Sequence, residues 1–174
     1  ILYTPPEFRR GTPGQRVKTP FSIVDIAPTI LKLAGIESWE PMDGDSLLPL
    51  LDAEESDRYV FCENYSEGYD GVALMVRKGA YKYTYFHNSE ERQLFNVEED
   101  PLEWNNLAAD PEYADLRQEL ERIILERFDP EELDRKAGQA YRNKKIVQES
   151  IMKCGGSLWD YEPRLEVEKM YWRD

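Results

Sequence analysis

The amino-acid sequence predicts an α+β fold, a small antiparallel sheet of three to four strands covered by an amphipathic helix on its C-terminal side. Three observations carry that expectation. Val72, Leu74 and Val76 alternate with Ala73, Met75 and Arg77, and Tyr81, Tyr83 and Tyr85 alternate with Lys82, Thr84 and Phe86. Both runs have the period of two of a half-buried strand. Between them lies Lys78-Gly79-Ala80, where the glycine can take the positive φ of a tight reversal. Downstream, Asp110 and Pro111 set a cap residue before a first-turn proline, and Leu116, Leu120, Ile123 and Ile124 then recur at helical spacing.

The remaining elements follow in chain order. Residues 1–20 are rich in Pro and Gly and predict irregular surface backbone. Ser22 or Asp25 starts a helix that tolerates Pro28 in its first turns and ends at Gly35; Ile26, Ile30, Leu31, Leu33 and Ala34 form its apolar side. Asp43-Gly44 is a turn, and Ser46 caps one short helical turn through Leu51. Tyr59 to Glu63 is a strand, Asn64 to Gly71 a polar, aromatic loop, and Gln93 to Val97 the strand after the hairpin. The covering helix gives way at Asp129-Pro130 to a second one, thinly apolar and rich in Arg and Lys, which Gly155-Gly156 stops. An aromatic tail with Trp159, Tyr161, Tyr171 and Trp172 closes the chain. A helix and tail of this kind predict a partner surface. The organisation expected is 1–56, 57–128 and 129–174.

Composition narrows the function. With 22 basic and 35 acidic residues the net charge is -13, which argues against nucleic-acid binding. No run approaches the length of a membrane span. The chain opens without Met on Ile1-Leu2-Tyr3-Thr4-Pro5-Pro6 and reads as a piece of a longer one. Cys62 and Cys154 stand in no metal-ligand spacing. They read as free thiols in a reducing compartment, which favours a cytoplasmic location over secretion, although a disulfide between them is the alternative. The single His87 lies in a charged turn and reads as a solvated turn residue. Glu98, Glu99, Asp100 and Glu103 are dense enough to hold a cation, but Asp100-Pro101 reads as a turn in which Asn105 and Asn106 satisfy backbone groups. The residues themselves therefore describe a domain with no catalytic residue, no metal site and no cofactor of its own.

Specific segments add a resemblance. Val24-Asp25-Ile26-Ala27-Pro28-Thr29-Ile30-Leu31, running on to Ala34-Gly35, resembles a segment of type I sulfatases, as does Asp43-Gly44-Asp45-Ser46-Leu47. So do Gly79-Ala80-Tyr81-Lys82-Tyr83, Gln93-Leu94-Phe95-Asn96-Val97, and Asp100-Pro101-Leu102-Glu103 through Asn106-Leu107. Arg58-Tyr59-Val60, Glu63 to Gly68 and the tail from Trp159 look like choline sulfatases within that group, members of the alkaline phosphatase-like superfamily. The resemblance implies that residues 1–56 end an α/β core and that 57–128 are the C-terminal subdomain. It further implies that 129–174 is an extension joining a homo-oligomer and reaching a neighbouring active site.

Glu67, Trp159, Asp160 and Tyr161 are then the substrate-rim residues. Asp160 and Glu67 would offer carboxylates, and Trp159 and Tyr161 ring faces, to a quaternary ammonium; a tail that only joins subunits is the other reading. The parent enzyme is expected to use formylglycine and Ca²⁺ or Mg²⁺. Neither Cys62 nor Cys154 stands in the C-x-(P/A)-x-R motif that supplies formylglycine, so the reaction centre is expected in the remainder of the sulfatase chain and this chain alone is expected to be inactive. The alternatives are a non-catalytic oligomerisation module, or the same part of a phosphonate monoester or phosphodiester hydrolase. The apolar side of helix 24–34 is expected to stand uncovered in this chain alone.

Overall fold

The computed structural model describes residues 11–37, 41–52, 58–65 and 71–155. The chain divides into two compact units, one through Glu131 and one from Glu132. The first unit is built on a four-stranded antiparallel sheet in the order β1-β2-β3-β4: Tyr59–Tyr65, Val72–Lys78, Tyr81–Phe86 and Arg92–Asn96. Each strand pairs with the next in sequence, which is the arrangement short reversals between alternating runs dictate. Lys78 pairs with Tyr81 across a two-residue turn, and Gly79 there takes φ +53°. The first strand continues two residues past the predicted Glu63, and the last begins and ends one residue before the predicted Gln93–Val97. Backbone pairing to β2 rather than side-chain pattern sets the first of these ends, since Asn64 and Tyr65 pair with Ala73 and Val72.

Register puts Leu74 opposite Tyr85, Val76 opposite Tyr83, and Tyr83 opposite Leu94. These residues share one face of the sheet, and helix α2, Ala114–Arg127, lies on it. Leu74, Val76, Tyr83 and Leu94 are fully buried with Leu120 and Ile124 of α2. Each buried aliphatic side chain contributes about 1.5–3 kcal/mol, so this layer is the main source of the unit's stability. Asp110 starts the helical stretch as the sequence predicts: its Oδ1 accepts from the Glu112 N–H at 2.9 Å, and Pro111 to Tyr113 form a 3-10 turn ahead of α2.

Polar groups seal the rim of this layer. The Tyr83 hydroxyl donates to Glu121 Oε2 at 2.8 Å, and burial together with Glu121 pushes that phenol well above its usual pKa. Arg92 stacks over the Tyr85 ring at 4.2 Å and reaches Glu121 Oε1 at 3.4 Å. Lys78 bonds Glu119 Oε1 at 3.1 Å. At the β1 edge, Phe61 meets Phe128 edge-on at 5.7 Å beneath the Arg127 guanidinium. These contacts keep α2 in one orientation on the sheet.

Ahead of the sheet, a 3-10 turn Ile23–Asp25 leads into α1, Ile26–Leu33. The helix ends as Gly35 predicts: Gly35 N–H donates to Lys32 and Ile36 N–H to Leu31, the two bonds of a Schellman cap, with Gly35 at φ +69°. A further 3-10 turn, Leu48–Leu51, follows Ser46. The second unit is described through its helix α3, Pro130–Lys153, which enters it from the end of the first; α3 contains no buried residue. No described helix is long and apolar enough to cross a membrane.

Candidate functional site: a carboxylate clamp and a stapled turn

The densest polar cluster lies where α1 begins. Asp25 is fully buried, unusual for a carboxylate and tolerable only if it is paired. Its Oδ2 accepts from the Ser22 N–H at 2.7 Å, which closes the turn ahead of α1. Its Oδ1 accepts from the Asp45 N–H at 3.0 Å and from Arg58 Nη2 at 2.5 Å. One helical turn on, the Thr29 hydroxyl donates to the Asp25 carbonyl at 2.6 Å and accepts from the Leu47 N–H at 2.8 Å. Asp25 and Thr29 stand four residues apart on one face of the helical segment, so together they dock the Asp43–Leu47 stretch onto it. Arg58, immediately before β1, ties the sheet to the same carboxylate.

Gly44 makes that docking possible. A side-chain carbon there would lie 2.5 Å from the Val24 carbonyl carbon and 2.7 Å from the Asp25 nitrogen, and closer still to the Val24 oxygen. Burial by itself would raise the Asp25 pKa; the Ser22 and Asp45 N–H groups and the Arg58 guanidinium outweigh it and hold the carboxyl below its ordinary value. Asp25 is thus ionised, with both carboxylate oxygens bonded to groups of this chain. It acts as a clamp.

The apolar side of α1 stands open at Ile26 and Ile30, in keeping with the expectation that it is uncovered in this chain alone. Of the helix itself only Thr29 is buried, while Ile26 and Ile30 are 44% and 58% exposed, as are Phe21 and Ile23 before it at 58% and 78%. Helical periodicity alone identifies an apolar side but not what covers it. An open depression of about 510 Å³ beside the clamp is lined by Lys32, Asp45, Ser46, Leu48, Pro49, Leu50 and Arg58.

The second cluster is the turn after β4, and the acidic residues there do the structural work expected of them. Asn96 Oδ1 accepts from Glu98 and Glu99 N–H, at 3.2 and 3.3 Å, and Asp100 Oδ2 from Asn105 N–H at 2.8 Å. The Asn105 N–H first, with those of Trp104, Glu103 and Leu102, holds the Asp100 carboxyl below its ordinary pKa. Glu103, at φ +56°, pairs with Lys82, whose ammonium also sits over the Phe95 ring at 5.7 Å. Asn106 then finishes the sheet: its Oδ1 accepts from the Leu94 N–H at 3.0 Å and its Nδ2 donates to the Arg92 carbonyl at 3.0 Å. The adjacent Leu107 N–H donates to the Leu94 carbonyl at 2.8 Å. An edge that would otherwise present free donors and acceptors is closed by a side chain.

Among the described residues no group of three or more His, Cys, Asp or Glu side chains could hold a metal ion. The described residues therefore do not fit a catalytic divalent cation. Cys62 and Cys154 are both free and exposed. His87 sits half-buried in the turn after β3. The rim residues expected from sequence, Glu67, Trp159, Asp160 and Tyr161, lie outside the described residues, as does the aromatic tail. Asp25, Thr29 and Gly44 fall in segments that the sequence singles out, but their joint role is not legible there. The available signal was a polar pair at the i, i+4 spacing inside an otherwise apolar helix.

These positions coincide with a recognised family. The C-terminal family of N-sulphoglucosamine sulphohydrolase matches residues 5–130. This chain belongs to it. As a sulfatase C-terminal domain, it is 31% identical over 167 residues to a choline-sulfatase of Rhizobium meliloti, an alignment covering 90% of this chain and 31% of that protein. A Δ4,5-hexuronate-2-O-sulfatase of Bacteroides thetaiotaomicron is 36% identical over 111 residues, covering 60% of this chain and 23% of the relative. The solved structure of a phosphonate monoester hydrolase from Silicibacter pomeroyi superposes with a TM-score of 0.54 at 27% identity, over 67% of this chain and 26% of that one. The sulfatase domain thus spans less than a third of the curated relatives it matches. Both clusters, the clamp and the stapled turn, fall within the matched residues 5–130.

Proposed function

We propose that this domain is the scaffold-forming part of a sulfuric-ester hydrolase of choline-sulfatase type, whose formylglycine and Ca²⁺ or Mg²⁺ are held by sequence other than these 174 residues. The observation that carries this reading is what the motif side chains do. Asp25, Thr29, Lys82, Glu103 and Asn106 are each bonded to this chain's own backbone or to one another. They shape a fold, and none of these five side chains is left over to attack an ester. The exposed Phe21, Ile23, Ile26 and Ile30 support the remainder of the sulfatase chain as the natural cover for α1.

Choline-sulfate as substrate draws support from the Rhizobium meliloti alignment: at 90% of the chain it runs past residue 130, where the family match stops. On this reading 129–174 joins copies of the chain, and Trp159 and Tyr161 flank the quaternary ammonium while Asp160, with Glu67, balances its charge. The likeness to a phosphonate monoester hydrolase favours a second reading, in which the same scaffold serves that reaction.

A chimera tests both. Residues of this chain replace the matched part of the Rhizobium meliloti choline-sulfatase, and turnover of choline sulfate and of a phosphonate monoester is measured with Ca²⁺ or Mg²⁺ present. Choline sulfate hydrolysis, with KM raised by Asp160→Asn and kcat little changed, is the expected result. A folded chimera that turns over only the phosphonate would replace the first reading with the second. Metal-dependent ester hydrolysis by the 174-residue chain alone would remove the scaffold reading altogether.

A further inference from the structure

Helix α3 carries a pattern that none of the described residues buries. Leu133, Ala137, Ala140, Lys144, Val147 and Ile151 follow one another at spacings of four, three, four, three and four, the seam of a two-helix coiled coil. The helix is 24 residues long, roughly 36 Å, yet none of its residues is buried, and Tyr141 and Val147 are 69% and 57% exposed. A helix with so little burial gains little from propensity alone and is completed by packing its stripe on something.

The seam is its own complement when reversed. Turned end for end about Arg142, Leu133 meets Ile151 of a second copy, Ala137 meets Val147 and Ala140 meets Lys144, so every layer pairs one seam position with another. Charge selects this orientation. A parallel pair in register would stack Lys144 on Lys144 and set the acidic first turn, Glu131, Glu132 and Asp134, against itself. The antiparallel pair puts Lys144 against a small alanine beside the exposed Tyr141 ring. It also brings each acidic first turn alongside the other copy's Lys153 and helix C-terminus. Ala137 and Ala140 let the two backbones approach closely.

We propose that α3 pairs antiparallel with α3 of a second copy, through a two-fold axis beside Arg142. The proposal rests on the reading that residues 129–174 join copies, and adds to it the helix, the register and the direction. A two-fold contact of this kind closes on itself and makes a dimer rather than a fibre.

Cysteine cross-linking of the full chain, in a Cys62→Ser, Cys154→Ser background, separates the possibilities. Ala137→Cys with Val147→Cys faces each new thiol with the other's partner in the antiparallel pair, and mild oxidation is expected to convert the chain to a covalent dimer. Within one helix the two thiols are roughly 15 Å apart, too far to bridge. Ala137→Cys alone is expected to stay uncross-linked, because its copies lie a similar distance apart. Cross-linking by Ala137→Cys alone would mean a parallel pair and overturn the direction. Light scattering that shows a dimer while neither variant cross-links would overturn the α3 seam but leave assembly through 129–174 standing. A monomer at every concentration would remove both.

Discussion

Replacing Gly44 by alanine is the sharpest perturbation of the clamp. The new carbon would stand 2.5 Å from the Val24 carbonyl carbon, where carbon atoms pack best at about 3.5–4.0 Å. The contact atoms are backbone, so the Asp43–Leu47 stretch must retreat by roughly 1 Å. At 3.0 and 2.8 Å, the bonds from Asp45 N–H to Asp25 and from Leu47 N–H to Thr29 do not survive such a shift. The first is charge-assisted and is worth about 1.5–3 kcal/mol, the second about 1 kcal/mol. Alanine's stiffer unfolded chain returns about 0.4–1 kcal/mol, leaving a net loss of about 2–3 kcal/mol. Hydrogen exchange read on the peptide 41–52 reports it directly: protection at Asp45 and Leu47 is expected to fall about 30- to 150-fold. Gly79→Ala is the control, since a carbon there meets nothing within 4 Å and the variant bears only its positive φ, about 1–2 kcal/mol. Protection at Asp45 and Leu47 unchanged within a factor of three in Gly44→Ala would refute the close-packing argument.

Three further outcomes follow from the same geometry. Asp25 ionises more readily folded than unfolded, so its contribution is complete above the ordinary carboxylate value of 3.8 and is lost as pH falls from there through the depressed folded value. Urea unfolding from pH 7 to pH 2.5 should therefore show a steeper acid loss in the native chain than in Asp25→Asn, and parallel curves would contradict it. Asn106→Ala removes the side chain that closes the β4 edge; because water can reach that edge, the expected cost is about 1–2 kcal/mol in the urea midpoint, and an unchanged midpoint would mean the sheet ends without it. Ile30→Glu alters an exposed position, so the chain's own stability should move by less than about 0.5 kcal/mol. In the chimera the same change should abolish soluble, active enzyme, and full activity would show that α1 is not a contact surface there.

What the sequence by itself determined is local. Alternation from Val72 to Phe86 specified two strands, because a one-residue slip would turn Leu74 and Tyr83 out of the core. Asp110-Pro111 and Gly35 marked helix ends because cap geometry depends on the residue at that place alone. The buried pair Tyr83 and Leu120, the edge closure by Asn106 and the meeting of Asp25 with Gly44, Asp45 and Arg58 belong to tertiary structure. Asp25 and Arg58 are 33 residues apart, and no local preference says which of many acids will lose its water and meet which guanidinium. Only a chain already folded back on itself brings the two together. The same reason explains why apolar spacing found a stripe on α1 yet could not say that Ile26 and Ile30 stand exposed while Thr29, and Asp25 just before the helix, are buried.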